Sequence, residues 1–245
     1  MVTAALIILG KRDVPPEDRA ERLVETIRQQ NETIRSLRSE VRGVDPDLDQ
    51  LRTAAADAIE AGAPAKADSL LAELEEKEDN LRLEEQLLAA ASTKAERGRI
   101  ALSELRYLDA AGHFDRAANK VPRSSQEGYL DYLHQAATAY YRQSDEFGDN
   151  EAAAEAIERY RGLLGHYPRE RVPLDWAMTQ NNLGNALADL GERLPREDYL
   201  ATALQVIKNA SNVFLIEARQ TQYEGYFNRR IEEVEEALER VKGGK

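Results

Sequence analysis

The feature that most narrows the possible folds is a recurrence. Leu183, Leu187, Gly191, Ala203, Ile207 and Ala210 have counterparts 47 residues upstream in Ala136, Tyr140, Ser144, Ala156, Tyr160 and Leu163. Each pair matches in size or chemistry, and the steps of three and four residues are those of one face of an α-helix. A single helix pair cannot bury its own apolar face, so a chain that repeats such a unit buries each one against the next. Two more stretches carry the pattern, Gly98, Ala101, Ala110, Phe114, Ala117 and Pro122, and earlier Ala55, Ala58, Gly62, Ala67, Leu71 and Leu74.

The clearest single helix runs from Leu174 to Arg193. Pro173 stands where a first-turn proline starts a helix, and Gly191 stands where one can stop. Gly184 falls in its middle, where glycine costs about 1 kcal/mol relative to alanine, which predicts that another helix approaches closely there.

Leu183 and Gly184, followed by Leu187 and Gly191, resemble the first helix of a tetratricopeptide repeat. The resemblance covers roughly residues 46–217. Two of the units depart from the 34-residue family period by about seven extra residues, in the polar inserts Asp145 to Asn150 and Glu192 to Asp198. It implies an all-α, right-handed superhelical solenoid of antiparallel helix pairs. The four repeats would span about 45–91, 92–123, 124–169 and 172–217. Residues 1–44 would then form N-terminal capping helices or a linker, and 218–245 a C-terminal capping helix whose end is Gly243-Gly244.

Local signals refine this division. Thr3 to Gly10 reads as a short apolar helix, and Glu17 to about Arg42 as an amphipathic one with Leu23, Ile27, Ile34, Leu37 and Val41 on its stripe. No glycine or proline lies between Pro64 and Gly98, which predicts a long helix to about Ala90. Thr93-x-x-Glu96 and Ser124-x-x-Glu127 match capping boxes that would open the next two units.

In this family the concave groove is lined by the first helix of each unit. Carried over by position, the groove would present Met178, Asn181, Asn182 and Asn185 from the fourth unit. The third would give His134, Gln135, Thr138, Tyr141 and Arg142, and the second Arg99. An asparagine both donates and accepts, so Asn181 and Asn185, four apart on one face, could hold the backbone of an extended peptide. The competing reading is that these amides tie neighbouring helices together. A clamp for a C-terminal carboxylate is not expected, because Ala56, Glu96 and Asp131 stand where it would need cations or amides.

Composition limits the chemistry. With no cysteine, disulfides, thiolate metal sites and cysteine nucleophiles are excluded. A net charge of −12 argues against a nucleic-acid backbone as partner. His113, His134 and His166 are scattered, without ligand spacing, and no Gly-rich phosphate loop occurs. The expectation is therefore a non-enzymatic module, without metal or cofactor, that binds a protein or peptide in its groove.

The blocks Pro168 to Ala177 and Gln180 to Leu187 resemble bacterial tetratricopeptide proteins that accompany effector or signalling domains, which implies the scaffolding or sensing part of a larger system. No apolar run reaches membrane-span length, and a cytoplasmic location is the default expectation. The alternative is a homo-oligomer, such as a homodimer, paired through the Leu23 to Val41 stripe.

Overall fold

The computed structural model describes residues 19–41 and 45–243, and these form nine α-helices with no strand. Thr3 to Gly10, expected to form a short helix, lies outside the described residues. No helix among them is long and apolar enough to cross a membrane. By internal contacts the chain divides into two compact units, Met1–Glu85 and Gln86–Lys245.

The first unit contains α1 (Arg19–Ser39), α2 (Pro46–Glu60) and the start of α3 (Pro64–Ser103). Asp45 caps α2 by accepting from the amides of Asp47 and Leu48, and Pro46 occupies the first turn, where no donor is missed. Ile34 and Leu37 of α1 pack with Leu48, Leu51, Ala55 and Ala56 of α2 and Leu74 of α3. Arg52 fastens this core with ion pairs to Glu78 at 2.5 Å and Glu40 at 3.6 Å.

The stripe expected on α1 is only half right. Ile27 and Val41 are exposed, whereas Thr26 is buried and returns its hydroxyl to the Arg22 carbonyl at 2.7 Å. The inward line steps through 26, 30, 34 and 37, and Ile27 lies about 100° round the helix from Thr26.

Helix α3 overturns the expected break near Ala90. It continues through Thr93, whose hydroxyl donates back to the Ala89 carbonyl at 3.0 Å instead of capping a new helix. The run Ala89-Ala90-Ala91 favours helix on both sides of that position, so the boundary read at 91/92 falls inside α3.

The second unit takes the rest of α3 with α4 (Tyr107–Ala118), α5 (Gln126–Phe147), α6 (Asn150–Leu164), α7 (Pro173–Arg193), α8 (Glu197–Ser211) and α9 (Glu224–Lys242). From α4 onward each helix packs on the next. In addition α5 touches α7, and α7 touches α9, so these three lie side by side. Only Gly148 and Asp149 separate α5 from α6, and Leu194 to Arg196 separate α7 from α8, so each of these packed pairs is antiparallel. Helix α5 opens at Ser125, one residue later than the capping box predicts.

The two inserts read as polar turns mostly lengthen helices. Helix α5 continues to Phe147 and α7 to Arg193. Gly148, with φ of 68°, takes the left-handed turn, and Asp149 caps α6 through the amides of Glu151 and Ala152.

The recurrent positions are the core. Ala136, Ser144, Ala156, Tyr160 and Leu163 are buried, as are Leu183, Leu187, Gly191, Ala203, Ile207 and Ala210, while Tyr140 is half-buried. A Cβ on Gly184 would come within 2.4 Å of Ile207 Cγ1, so the close helix approach expected at this glycine is present, between α7 and α8. Gly191 does not end α7; it admits Leu200, whose Cγ would lie 3.0 Å from an added Cβ.

After α8 the chain widens into a π-helical turn, Asn212–Glu217, then a 3-10 turn, Thr221–Tyr223. Val213 is buried, and the next two residues, Phe214 and Leu215, also pack on the core. Three consecutive residues span about 200° in an α-helix, too wide for one buried face, and the looser turn brings them together.

Candidate functional site

The asparagines read as groove residues lie on α7, and the structure gives each of Asn181, Asn182 and Asn185 a partner on a neighbouring helix. Asn182 Nδ2 donates to His134 Nε2 of α5 at 3.2 Å. On the other side α9 reaches across. The Tyr226 hydroxyl accepts from Asn185 Nδ2 at 2.9 Å and donates to Asn181 Oδ1 at 3.1 Å. Arg230 donates to Asn185 Oδ1 at 3.0 Å and pairs with Asp189 at 2.6 Å, and Tyr141 of α5 donates to the other Asp189 oxygen at 3.0 Å. These contacts form a polar ladder α5–α7–α9, in which the amides tie adjacent helices together.

The ladder's electrostatics follow from its partial burial. Burial pushes the pKa of His134 down, against the pull of Asp131 and Asp175, which favours neutral imidazole. Accepting from Asn182 requires that neutral form, with the proton on Nδ1. Burial first, and then Asp189, push the Tyr141 phenol up, so it remains a donor. Arg230 is held protonated by Asp189 in spite of its desolvation.

The remaining expected groove residues stand apart from the ladder or bond locally. Gln135 donates to Asp131 on its own helix at 2.7 Å. Thr138 donates to the His134 carbonyl at 2.9 Å and lies 3.2 Å from the Tyr160 hydroxyl. Arg99 is exposed and paired with Glu96 at 2.5 Å, and Arg142 is exposed. Met178 is 41% exposed and opens into a different feature.

That feature is a pocket of about 510 Å³ lined by Met178 and Asn181 of α7, Phe214 of the π-helical turn, Tyr223 of the 3-10 turn, and Tyr226 and Phe227 of α9. Its rings brace one another edge-on or tilted, with centroid separations of 5.3 Å for Phe214 and Tyr223, 5.6 Å for Phe214 and Phe227, and 5.1 Å for Tyr226 and Phe227. The pair Asn181 and Asn185 fixes the Tyr226 ring by its hydroxyl. The result is a largely apolar, preformed concavity with an amide at its edge, of a size that takes organic ligands or side chains.

Sequence reasoning did not find this pocket or the partners Tyr226 and Arg230. The signal that could have pointed to them is the concentration of Phe214, Tyr223, Tyr226 and Phe227, including two of the chain's four phenylalanines, within a few turns.

Among the described residues no group of three or more metal-ligating side chains is placed to hold an ion. His113 is buried on α4, and its pKa is lowered by that burial and by Arg116 and Arg97. No family model matches the chain, and neither the curated proteins nor the solved structures contain a significant match.

Proposed function

We propose that the chain is a non-enzymatic protein-interaction module of tetratricopeptide-like, right-handed superhelical build, which binds a peptide or partner domain. The observation that carries this reading is the pocket. Met178, Tyr223 and Tyr226 are 41%, 42% and 37% exposed, yet they belong to a braced aromatic cluster and not to a scatter of single surface residues. The sequence resemblance supports a role as the scaffolding or sensing part of a larger bacterial signalling or effector system.

In this reading the partner engages the Met178 end of the groove, because the amides expected to grip a peptide are already bonded to α5 and α9. Replacing Asn181, Asn182 and Asn185 together would loosen α9 and would confound any binding experiment. The suitable variant is Met178→Glu, which places a charge at the pocket without breaking the ladder. Affinity capture from bacterial lysate with the intact chain and with this variant, after matching their helical signal, tests the reading. A partner lost with Met178→Glu is expected; partners retained equally by both would remove the pocket from function.

A second reading, homo-oligomerisation through α1, rests on Val24 and Ile27, which are 68% and 45% exposed and share one face. Ile34 cannot be used to test it, since it is part of the first unit's core. Ile27→Glu alone should convert any oligomer to monomer in a solution-mass measurement, and an unchanged mass would dispose of this reading.

A further inference from the structure

We infer that one long face of α3 pairs with the same face of a second copy of this chain, antiparallel, about a two-fold axis between positions 86 and 87. This surface is separate from the Met178 pocket and from the exposed side of α1. Steps of three and four residues carry it through Glu76, Asp79, Leu83, Leu87, Ala90, Lys94 and Arg97, all within one unbroken helix. Glu76, Asp79 and Arg97 are exposed, Leu83 is 53% exposed, and Leu87, Ala90 and Lys94 are half-buried. Along the face the order is acidic, apolar, basic. Leu81 and Leu88 are exposed too, but they lie on a different side of the helix and take no part.

Charge selects both the occupant and its direction. Laid antiparallel, Glu76 meets Arg97 of the second copy, Asp79 meets Lys94 and Leu83 meets Ala90, and the two-fold axis repeats each pair, as an isologous contact requires. A parallel arrangement would set Glu76 on Glu76 and Lys94 on Lys94, which is unfavourable. The pattern extends beyond the face: before Gln86, α3 carries eight acidic and three basic residues, and from Gln86 onward one acidic and three basic. Neighbouring charges are paired along the helix, Glu73 with Lys77 and Glu96 with Arg99. Glu76, Lys94 and Arg97, by contrast, form no ion pair among the described residues, and Asp79 holds only the equally exposed Arg82, at 2.8 Å. Two chains of net charge −12 repel as wholes, but that repulsion is screened beyond about 10 Å, whereas pairs in contact are screened less. The face drifts by about 20° per seven residues, roughly 60° from Glu76 to Arg97, and a left-handed wrap of two helices absorbs such a drift.

Light-scattering mass of the full chain, measured from about 1 to about 100 µM, tests the pairing. At the upper end the mass should be twice the 27.5 kDa of one chain. Glu76→Lys/Asp79→Lys and Lys94→Glu/Arg97→Glu should each weaken the dimer by about tenfold or more, because each sets like charges together. An equimolar mixture of these two variants should pair again, since every charged contact between them is then opposite in sign. Leu83→Glu should give monomers, and Ile27→Glu should leave the dimer intact, each with the helical signal of the parent. A parent that stays monomeric at every concentration would overturn the pairing, as would a mixture that fails to recover the dimer. Loss of the dimer with Ile27→Glu, together with its retention in the α3 variants, would overturn it too and move self-association to α1.

Discussion

Gly184 shows how one missing carbon sets the distance between two helices. Alanine normally improves a helix interior by about 1 kcal/mol over glycine, but a Cβ here would meet the β-branched Ile207 at 2.4 Å and Val206 at 3.0 Å. Gly184→Ala is therefore expected to destabilise, by about 1–3 kcal/mol of overpacking, and to lower the melting temperature by several degrees in a thermal scan. A higher melting temperature would mean that α7 and α8 can separate at no cost. His134 makes a second prediction at this scale. Its folded pKa lies below the ordinary histidine value of about 6.5, so its contribution to stability is present above that value and is lost as pH falls through it toward the folded pKa. Protonation also turns Nε2 into a donor facing the Asn182 amide nitrogen. Comparing melting at about pH 7.5 and about pH 5.5, His134→Gln should lose less stability than the parent; His113 leaves a residual dependence in both proteins, since its pKa is lowered as well.

At the scale of the element, α9 is held by two kinds of contact, and they can be separated. Phe227, Val234, Ala237 and Leu238 are buried in the core, whereas Tyr226 and Arg230 reach the polar ladder. Arg230→Ala would leave Asp189, whose side chain is 21% exposed, without its cation, a loss of about 1.5–3 kcal/mol. Faster amide exchange across Glu224–Lys242 should report it, and unchanged exchange there would show that apolar packing alone secures the helix. The ladder also shows where sequence was legible. The 47-residue offset placed the buried residues, because burial follows helical periodicity and size, both of which are local. The family positions could not decide between the two readings of the asparagines, because an amide looks the same in sequence whether it meets a peptide or another helix, and the partners Tyr226 and Arg230 lie more than 40 residues away. Thr93-x-x-Glu96 failed for the opposite reason: the local motif was present, but flanking helix formers carried the chain straight through it.

For the molecule as a whole, the two units differ in how much core they own. The first is centred on seven buried residues around α1 and α2, two of them alanines, while the cluster around α7 and α8 gathers Leu183, Leu187, Leu190, Leu200, Ile207 and Val213 with many neighbours. Local opening free energy follows buried apolar contact, so amides of α1 and α2 should exchange faster than those of α7 and α8, by about tenfold or more under native conditions. Equal protection would show that the chain unfolds as one cooperative body. The π-helical turn at Asn212–Glu217 has a different kind of consequence, one of length and not of identity. Most connections tolerate the gain or loss of a residue, since closing a slightly longer loop costs little. Here one residue fewer would tighten the turn to α-helical pitch, turn one of Val213, Phe214 and Leu215 away from the core, and shift the start of α9. In a lineage descended from this chain, substitutions within the segment should therefore accumulate more readily than single-codon insertions or deletions.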